Sequence, residues 1–147
     1  MDTQCQDKMR NIFIILVLMS GVANAQWYGS VGSSFGEDNV GAFYKIGIET
    51  DSDDNFNVAS EASLNFMYSN KFLRLAVIPQ YSITDQWTVG AGVSTYWSNS
   101  YFGTAKWTGG YATKAQYNHD ETLSFAVTLD NTIDLGHTGF FGVIFHF

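Results

Sequence analysis

From Trp27 to the last residue, apolar side chains recur at every second position, in eight runs separated by turn-forming clusters. A period of two predicts β-strands that present one face to an apolar phase and the other to something different. The runs are Trp27 to Phe35, Ala42 to Thr50, Phe56 to Tyr68, Leu73 to Tyr81, Trp87 to Trp97, Trp107 to Tyr117, Glu121 to Leu129 and Gly139 to Phe147. In the last of them Phe141, Val143, Phe145 and Phe147 share one face and Phe140, Gly142, Ile144 and His146 the other.

The second face decides what the first one meets. In most runs it carries Gly, Ser, Thr and Ala, too small and uncharged for the outside of a water-soluble barrel. Such residues suit a narrow interior, leaving the apolar face for hydrocarbon. The predicted fold is all-β, a transmembrane antiparallel up-and-down eight-stranded β-barrel occupying residues 26–147. An even strand number puts both termini at one end. Trp27, Phe56, Tyr81, Trp87, Tyr117 and Phe147 then collect at the terminal end, and Phe35, Tyr44, Phe66, Trp97 and Trp107 near the opposite rim. Two aromatic girdles are what a barrel needs at its two membrane interfaces. The connections at 51–55, 83–86 and 118–120 are expected on the periplasmic side, and those at 36–41, 69–72, 98–106 and 130–138 on the extracellular side. Gly47, Gly90 and Gly92 are expected to make room for larger lumen neighbours such as Phe43 and Tyr96. Pro79 removes a ladder donor inside the fourth run and predicts a bulge there.

Upstream, Lys8 and Arg10 precede an apolar run from Ile12 to Met19 and an Ala-x-Ala end at Ala23 to Ala25. That pattern predicts a cleaved secretory signal over residues 1–25, with translation starting at Met1 or Met9. The run is too short for a transmembrane helix, which needs roughly 18 to 20 apolar residues. Cys5, the only cysteine, falls inside this segment, so disulfides, thiolate metal sites and a cysteine nucleophile are excluded downstream. The net charge is −7, and after residue 25 only Lys45, Lys71, Arg74, Lys106 and Lys114 are basic. Nucleic acid is not an expected partner.

The signal segment, the opening Gln26-Trp27-Tyr28-Gly29-Ser30-Val31-Gly32, the unit Ile83-Thr84-Asp85-Gln86-Trp87-Thr88-Val89-Gly90-Ala91-Gly92 and the closing Gly142-Val143-Ile144-Phe145-His146-Phe147 resemble small eight-stranded outer-membrane proteins of Gram-negative bacteria. The likeness is to the OmpX/Ail/Lom-type group and the OmpA membrane domain. It is one of pattern across the whole mature chain. It implies outer-membrane localisation and insertion by the barrel-assembly machinery, which reads a terminal aromatic strand, here Phe141, Val143, Phe145 and Phe147. It carries no catalytic residues. The short extracellular connections argue against adhesin-like or serum-resistance roles, which use long loops.

Lys45, Glu49, Glu61, Arg74 and Lys114 are expected to point into the lumen, where buried charges need partners. Folding of the second and third runs about Asp53 is expected to bring Lys45 roughly opposite Glu61. The reading of this group is a structural plug of salt bridges, with a gated polar path for ions as the alternative. His119, Asp120 and Ser124 could be drawn as a hydrolase group, but Ser124 points inward at a turn, away from lipid, and no catalytic residue is assigned. His146 is expected in the lumen with a hydrogen-bond partner. Asp51, Asp53, Asn55 and Asn57 imitate the start of a calcium loop, yet the sixth position is Phe56 rather than Gly and the twelfth Ala62 rather than Glu. No metal and no cofactor is expected. The expected role is non-enzymatic, either structural at the surface or in the envelope, or ligand-contacting. It involves contact with outer-membrane lipid and lipopolysaccharide through Tyr101, Phe102, Lys106 and His137; a small-conductance pore and a lipid-A-modifying enzyme are the alternatives.

Overall fold

A computed structural model describes residues 25–37, 39–50, 55–68, 71–99, 105–133 and 136–147. They form eight strands: β1 (Ala25–Phe35), β2 (Val40–Thr50), β3 (Phe56–Met67), β4 (Lys71–Ser82), β5 (Trp87–Asn99), β6 (Ala105–Asn118), β7 (Leu123–Thr132) and β8 (Gly136–His146). Each pairs antiparallel with its neighbour in sequence, and β8 returns to β1, so the sheet closes with no free edge. The predicted export segment lies outside the described residues except for Ala25, which opens β1.

The registers fix the shape. A path of opposed residues from Ala25 through Thr50, Val58 and Pro79, level with Ala91, then through Thr113, Leu129 and Gly139, closes on Phe35, ten residues along β1 from its start. With eight strands that stagger tilts them by about 40° to the barrel axis and leaves an interior just wide enough for side chains to fill.

The two faces sort as the alternation predicts. Leu75, Phe125 and Phe145 sit on the outer wall, while their neighbours Arg74, Ala76, Ser124, Ala126 and Ile144 are buried inside. Val31, Ile46, Leu64, Val93, Val127 and Leu129 are exposed along the outer belt, and Trp27, Phe56, Tyr81 and Trp87 at the terminal rim. In water this would be a large unpartnered apolar surface; as the outside of a membrane-spanning barrel it needs no further cover.

The strands run further than the pattern indicated. β7 continues past Leu129 to Thr132 and β8 begins at Gly136, so most of the expected 130–138 connection is ladder. Gly136 makes the tight return feasible, with φ at +65°, a conformation that costs a side chain. Likewise Ser98, Asn99, Ala105 and Lys106 belong to β5 and β6 rather than to a loop. Pro79 produces no bulge. The β4–β5 register is the same on both sides of it, and pairing merely lapses at Ile78 and Pro79. The missing donor faces β5, where Gly90 and Gly92 let the backbones close in: a Cβ on Gly92 would fall on the Val77 carbonyl oxygen.

Both turns described at the terminal end are held by side chains. Thr84 Oγ1 accepts from the amides of Gln86 and Trp87 at 3.2 and 3.0 Å. Asp120 Oδ1 accepts from the hydroxyl and amide of Thr122 and the amide of Leu123, each at 2.8 Å. The last residue is fastened too, with the Phe147 amide donating to the Trp27 carbonyl at 2.9 Å.

Candidate functional site in the barrel lumen

Inward side chains fall into three levels. Toward the end opposite the termini, Phe43, Met67, Phe72, Tyr96 and Phe140 pack into an apolar plug. Phe43 and Phe140 meet edge to face at 5.7 Å, and Phe72 and Tyr96 lie 5.2 Å apart.

Below the plug is a charge cluster centred on Glu61, which is 3 % exposed. Its Oε1 accepts from the Tyr28 hydroxyl at 2.8 Å and Lys114 Nζ at 3.0 Å. Its Oε2 accepts from Arg74 Nη1 at 2.9 Å and Lys45 Nζ at 3.0 Å. Four charge-assisted or hydroxyl donors thus use both oxygens of one carboxylate. The rest of the Arg74 fork goes to Asp130, Nε to Oδ2 at 2.7 Å and Nη2 to Oδ1 at 3.1 Å, and the Tyr96 hydroxyl also donates to Asp130 Oδ2. Each cation also lies over a ring: Arg74 over Phe140 at 5.2 Å, Lys45 over Phe43 at 5.4 Å and Lys114 over Tyr28 at 5.3 Å.

The network crosses the barrel. Tyr28, Lys45, Glu61, Arg74, Tyr96, Lys114 and Asp130 come one each from β1 to β7, and Phe140 from β8 receives the Arg74 face. Register explains why they meet: Gly47, opposite Tyr28 and Glu61 in the β1–β2–β3 ladder, has no side chain, and the Tyr28 ring occupies the space its Cβ would need. Gly47 thus makes room for a larger lumen neighbour as expected, but that neighbour is Tyr28, while Phe43 lies over Gly142.

Toward the terminal end the lumen opens into a cavity of about 390 Å³, lined without any apolar side chain. Glu49 stands at its inner edge, 3.8 Å from Lys114 Nζ and 3.4 Å from Gln80 Nε2. Ser124, fully buried, shares hydrogen bonds with Asn118 Oδ1 at 2.9 Å and His146 Nε2 at 3.0 Å. Ser124 therefore partners His146 rather than His119, which is exposed.

Of the residues assigned to the barrel surface, His137 is exposed on β8 opposite Asn131, not in a loop. Tyr101 and Phe102 lie outside the described residues, as does the Lys106 side chain on β6. Phe141, Val143, Phe145 and Phe147 all face outward, and Phe147 is 81 % exposed. Sequence reasoning missed Asp130, Tyr28 and Tyr96 as members of the cluster. The signal for Asp130 is in the sequence: it continues the inward series Ser124, Ala126, Thr128 by one more period, into the expected 130–138 connection.

No family model matches the chain, and no curated protein matches it in sequence. Solved structures do match in fold. The Yersinia pestis outer-membrane protein Ail in a phospholipid bilayer nanodisc superposes with a TM-score of 0.56 at 13% identity, covering 84% of this chain and 100% of Ail. The Ail crystal structure gives 0.52 at 14% identity, covering 84% of this chain and 97% of that one. The crystal structure of Ail with the heparin analogue sucrose octasulfate gives 0.50 at 12%, with the same two coverages. The chain is an eight-stranded antiparallel up-and-down barrel with an apolar membrane-facing wall, similar in fold to the OmpX/Ail type.

Proposed function

We propose that this protein is an integral outer-membrane barrel with a sealed lumen, serving as a structural or ligand-contacting element of the cell envelope rather than as a channel or an enzyme. The observation that carries this reading is the seal. The aromatic plug and the charge cluster are stacked across the bore, and the three lumen cations Lys45, Arg74 and Lys114 are all committed to carboxylates. An ion crossing the barrel would have to part buried ion pairs and displace rings, and parting one such pair costs about 3–5 kcal/mol.

In this reading the terminal end faces the periplasm, residues 1–25 are an export signal removed before Gln26, and the Phe141–Phe147 strand is presented to the barrel-assembly machinery. The opposite rim meets lipopolysaccharide, with Tyr101 and Phe102 against its sugars and acyl chains and Lys106 and His137 toward its phosphates. Planar-bilayer recording of the purified barrel tests the seal: no discrete current steps are expected, and steady unitary currents in the wild type would overturn it. Cell fractionation with boiled and unboiled gel samples tests the location. A detergent-requiring, heat-modifiable band in the outer-membrane fraction is expected, and recovery from the soluble periplasm would refute it.

A further inference from the structure

The terminal-end cavity is chemically one-sided. Its lining includes Glu49, Asp85, Asp120 and Glu121, and among its lining residues there is no lysine or arginine. Deeper in, hydrogen-bond acceptors are left over. Gln116 is 3 % exposed and lines the cavity; its Nε2 donates to Asn118 Oδ1 at 2.8 Å, but its Oε1 has no partner. Asn57 Oδ1 and His146 Nδ1, in the same lining, are also buried without a partner, and so is the nearby Gln80 Oε1. A buried acceptor without a donor costs free energy, so a guest rich in N–H groups gains here what bulk water gives elsewhere. The volume falls within the range of small-molecule sites, about 300–1,000 Å³.

The arrangement also says which cation. Among the described residues no three His, Asp or Glu side chains converge as they would around a metal ion. The carboxylates are instead spread along the wall, from Glu49 at the inner edge to Asp85, Asp120 and Glu121 in or beside the turns. Separated negative charges with amide acceptors between them fit a flexible chain carrying several ammonium groups.

We propose that this cavity is a binding site for an aliphatic polyamine, with one ammonium donating to Gln116 Oε1 in the depth and others paired with Glu49 and the rim carboxylates. The site depends on the lining alone and does not require the sealed-lumen reading.

Isothermal titration of the full-length barrel with spermidine, in zwitterionic detergent at fixed ionic strength, tests it. Saturable one-site binding is expected. Affinity should fall about tenfold in Gln116→Leu, the loss of one hydrogen bond from a charged donor. It should fall at least as far in the Asp85→Asn/Glu121→Gln double variant and stay unchanged in Glu37→Gln at the opposite rim. Heat-modifiable migration confirms that each variant is folded, and the rim variant lies in exposed turns where folding is least at risk. Mg2+ at matched ionic strength should not displace spermidine. Absence of saturable binding, equal displacement by Mg2+, or equal weakening by Glu37→Gln would overturn the proposal, because each would reduce the cavity to a hydrated, diffusely charged mouth.

Discussion

The middle of the lumen and its terminal mouth are built from the same strands, on the same inward parity, yet they resolve their polar groups in opposite ways. In the middle, three cations (Lys45, Arg74, Lys114) face two carboxylates whose oxygens are all occupied (Glu61, Asp130), and no atom of the cluster lacks a partner. At the mouth, four buried acceptors stand unpaired and carboxylates outnumber cations. Three other unpaired atoms, on Ser34, Asn65 and Ser94, lie elsewhere in the bore, outside the lining of the terminal cavity. Burial explains the contrast. At that depth a charge is tolerated only when paired, whereas an uncharged acceptor can stay unpaired at a smaller cost, about 1–3 kcal/mol, until a donor reaches it. The middle therefore holds the barrel together, and the mouth is free to bind.

The strongest way to break this contrast is to remove the hub. Glu61→Leu leaves buried Lys45 without a carboxylate, Lys114 with only Glu49 at 3.8 Å, and one of the three Arg74 fork contacts unmade. Breaking one buried pair costs about 3–5 kcal/mol, and here three cations share the loss. The variant is expected to lose heat-modifiable migration, or to unfold at much lower urea. A urea midpoint within error of wild type would show that the cluster does not lock the strands.

A milder intrusion sharpens the claim that the cluster is assembled by register. Gly47→Ala places a methyl group where the Tyr28 ring lies, so the ring must leave Glu61 Oε1. Overpacking of this kind costs about 1–3 kcal/mol. The measurement is urea unfolding followed by tryptophan fluorescence. The loss should largely disappear when Tyr28→Ala is the background, because the ring that the methyl group meets is then already gone; full additivity would mean that the two residues are uncoupled.

At the mouth the same kind of truncation should do little. Gln116→Leu removes an acceptor that nothing satisfies together with one hydrogen bond to Asn118, so its effect on stability should stay within about 1 kcal/mol. A loss comparable with that of Glu61→Leu would place Gln116 in the lock and abolish the distinction between the two levels.

Much of this was legible in the sequence. A period of two, repeated eight times with aromatics at both rims, fixes strand number and parity because a strand's faces alternate residue by residue. The inward charges Lys45, Glu49, Glu61, Arg74 and Lys114 follow from that parity alone. Cross-barrel partners do not. Arg74 and Asp130 are 56 residues apart and meet through a bore whose width depends on stagger, which no local pattern encodes. Strand ends were misread for a related reason. Asp130 and His137 look like turn residues by type, but the Arg74 fork and the left-handed Gly136 keep them in the ladder. Pro79 shows the converse: a residue that weakens pairing in general is accommodated where glycines let the neighbouring backbone approach.

The smallest expected effect lies outside the barrel wall, in the β6–β7 turn at the mouth. Hydrogen bonds from the Thr122 hydroxyl and amide, and then from the Leu123 amide, hold the exposed Asp120 carboxyl below the usual carboxylate range. Because the folded value lies below the unfolded one, the turn's contribution is fully present above the unfolded carboxylate pKa of about 3.9 and fades as pH falls through the folded value. Asp120→Ala should therefore lower the urea midpoint slightly at neutral pH, and the gap from wild type should close in acid. Asp120→Asn keeps an acceptor for the same donors, so it should stay near wild type at neutral pH. A gap that instead widened as pH fell would mean that the carboxylate is unfavourable in this turn, and that the acidic mouth holds its charge at the expense of folding.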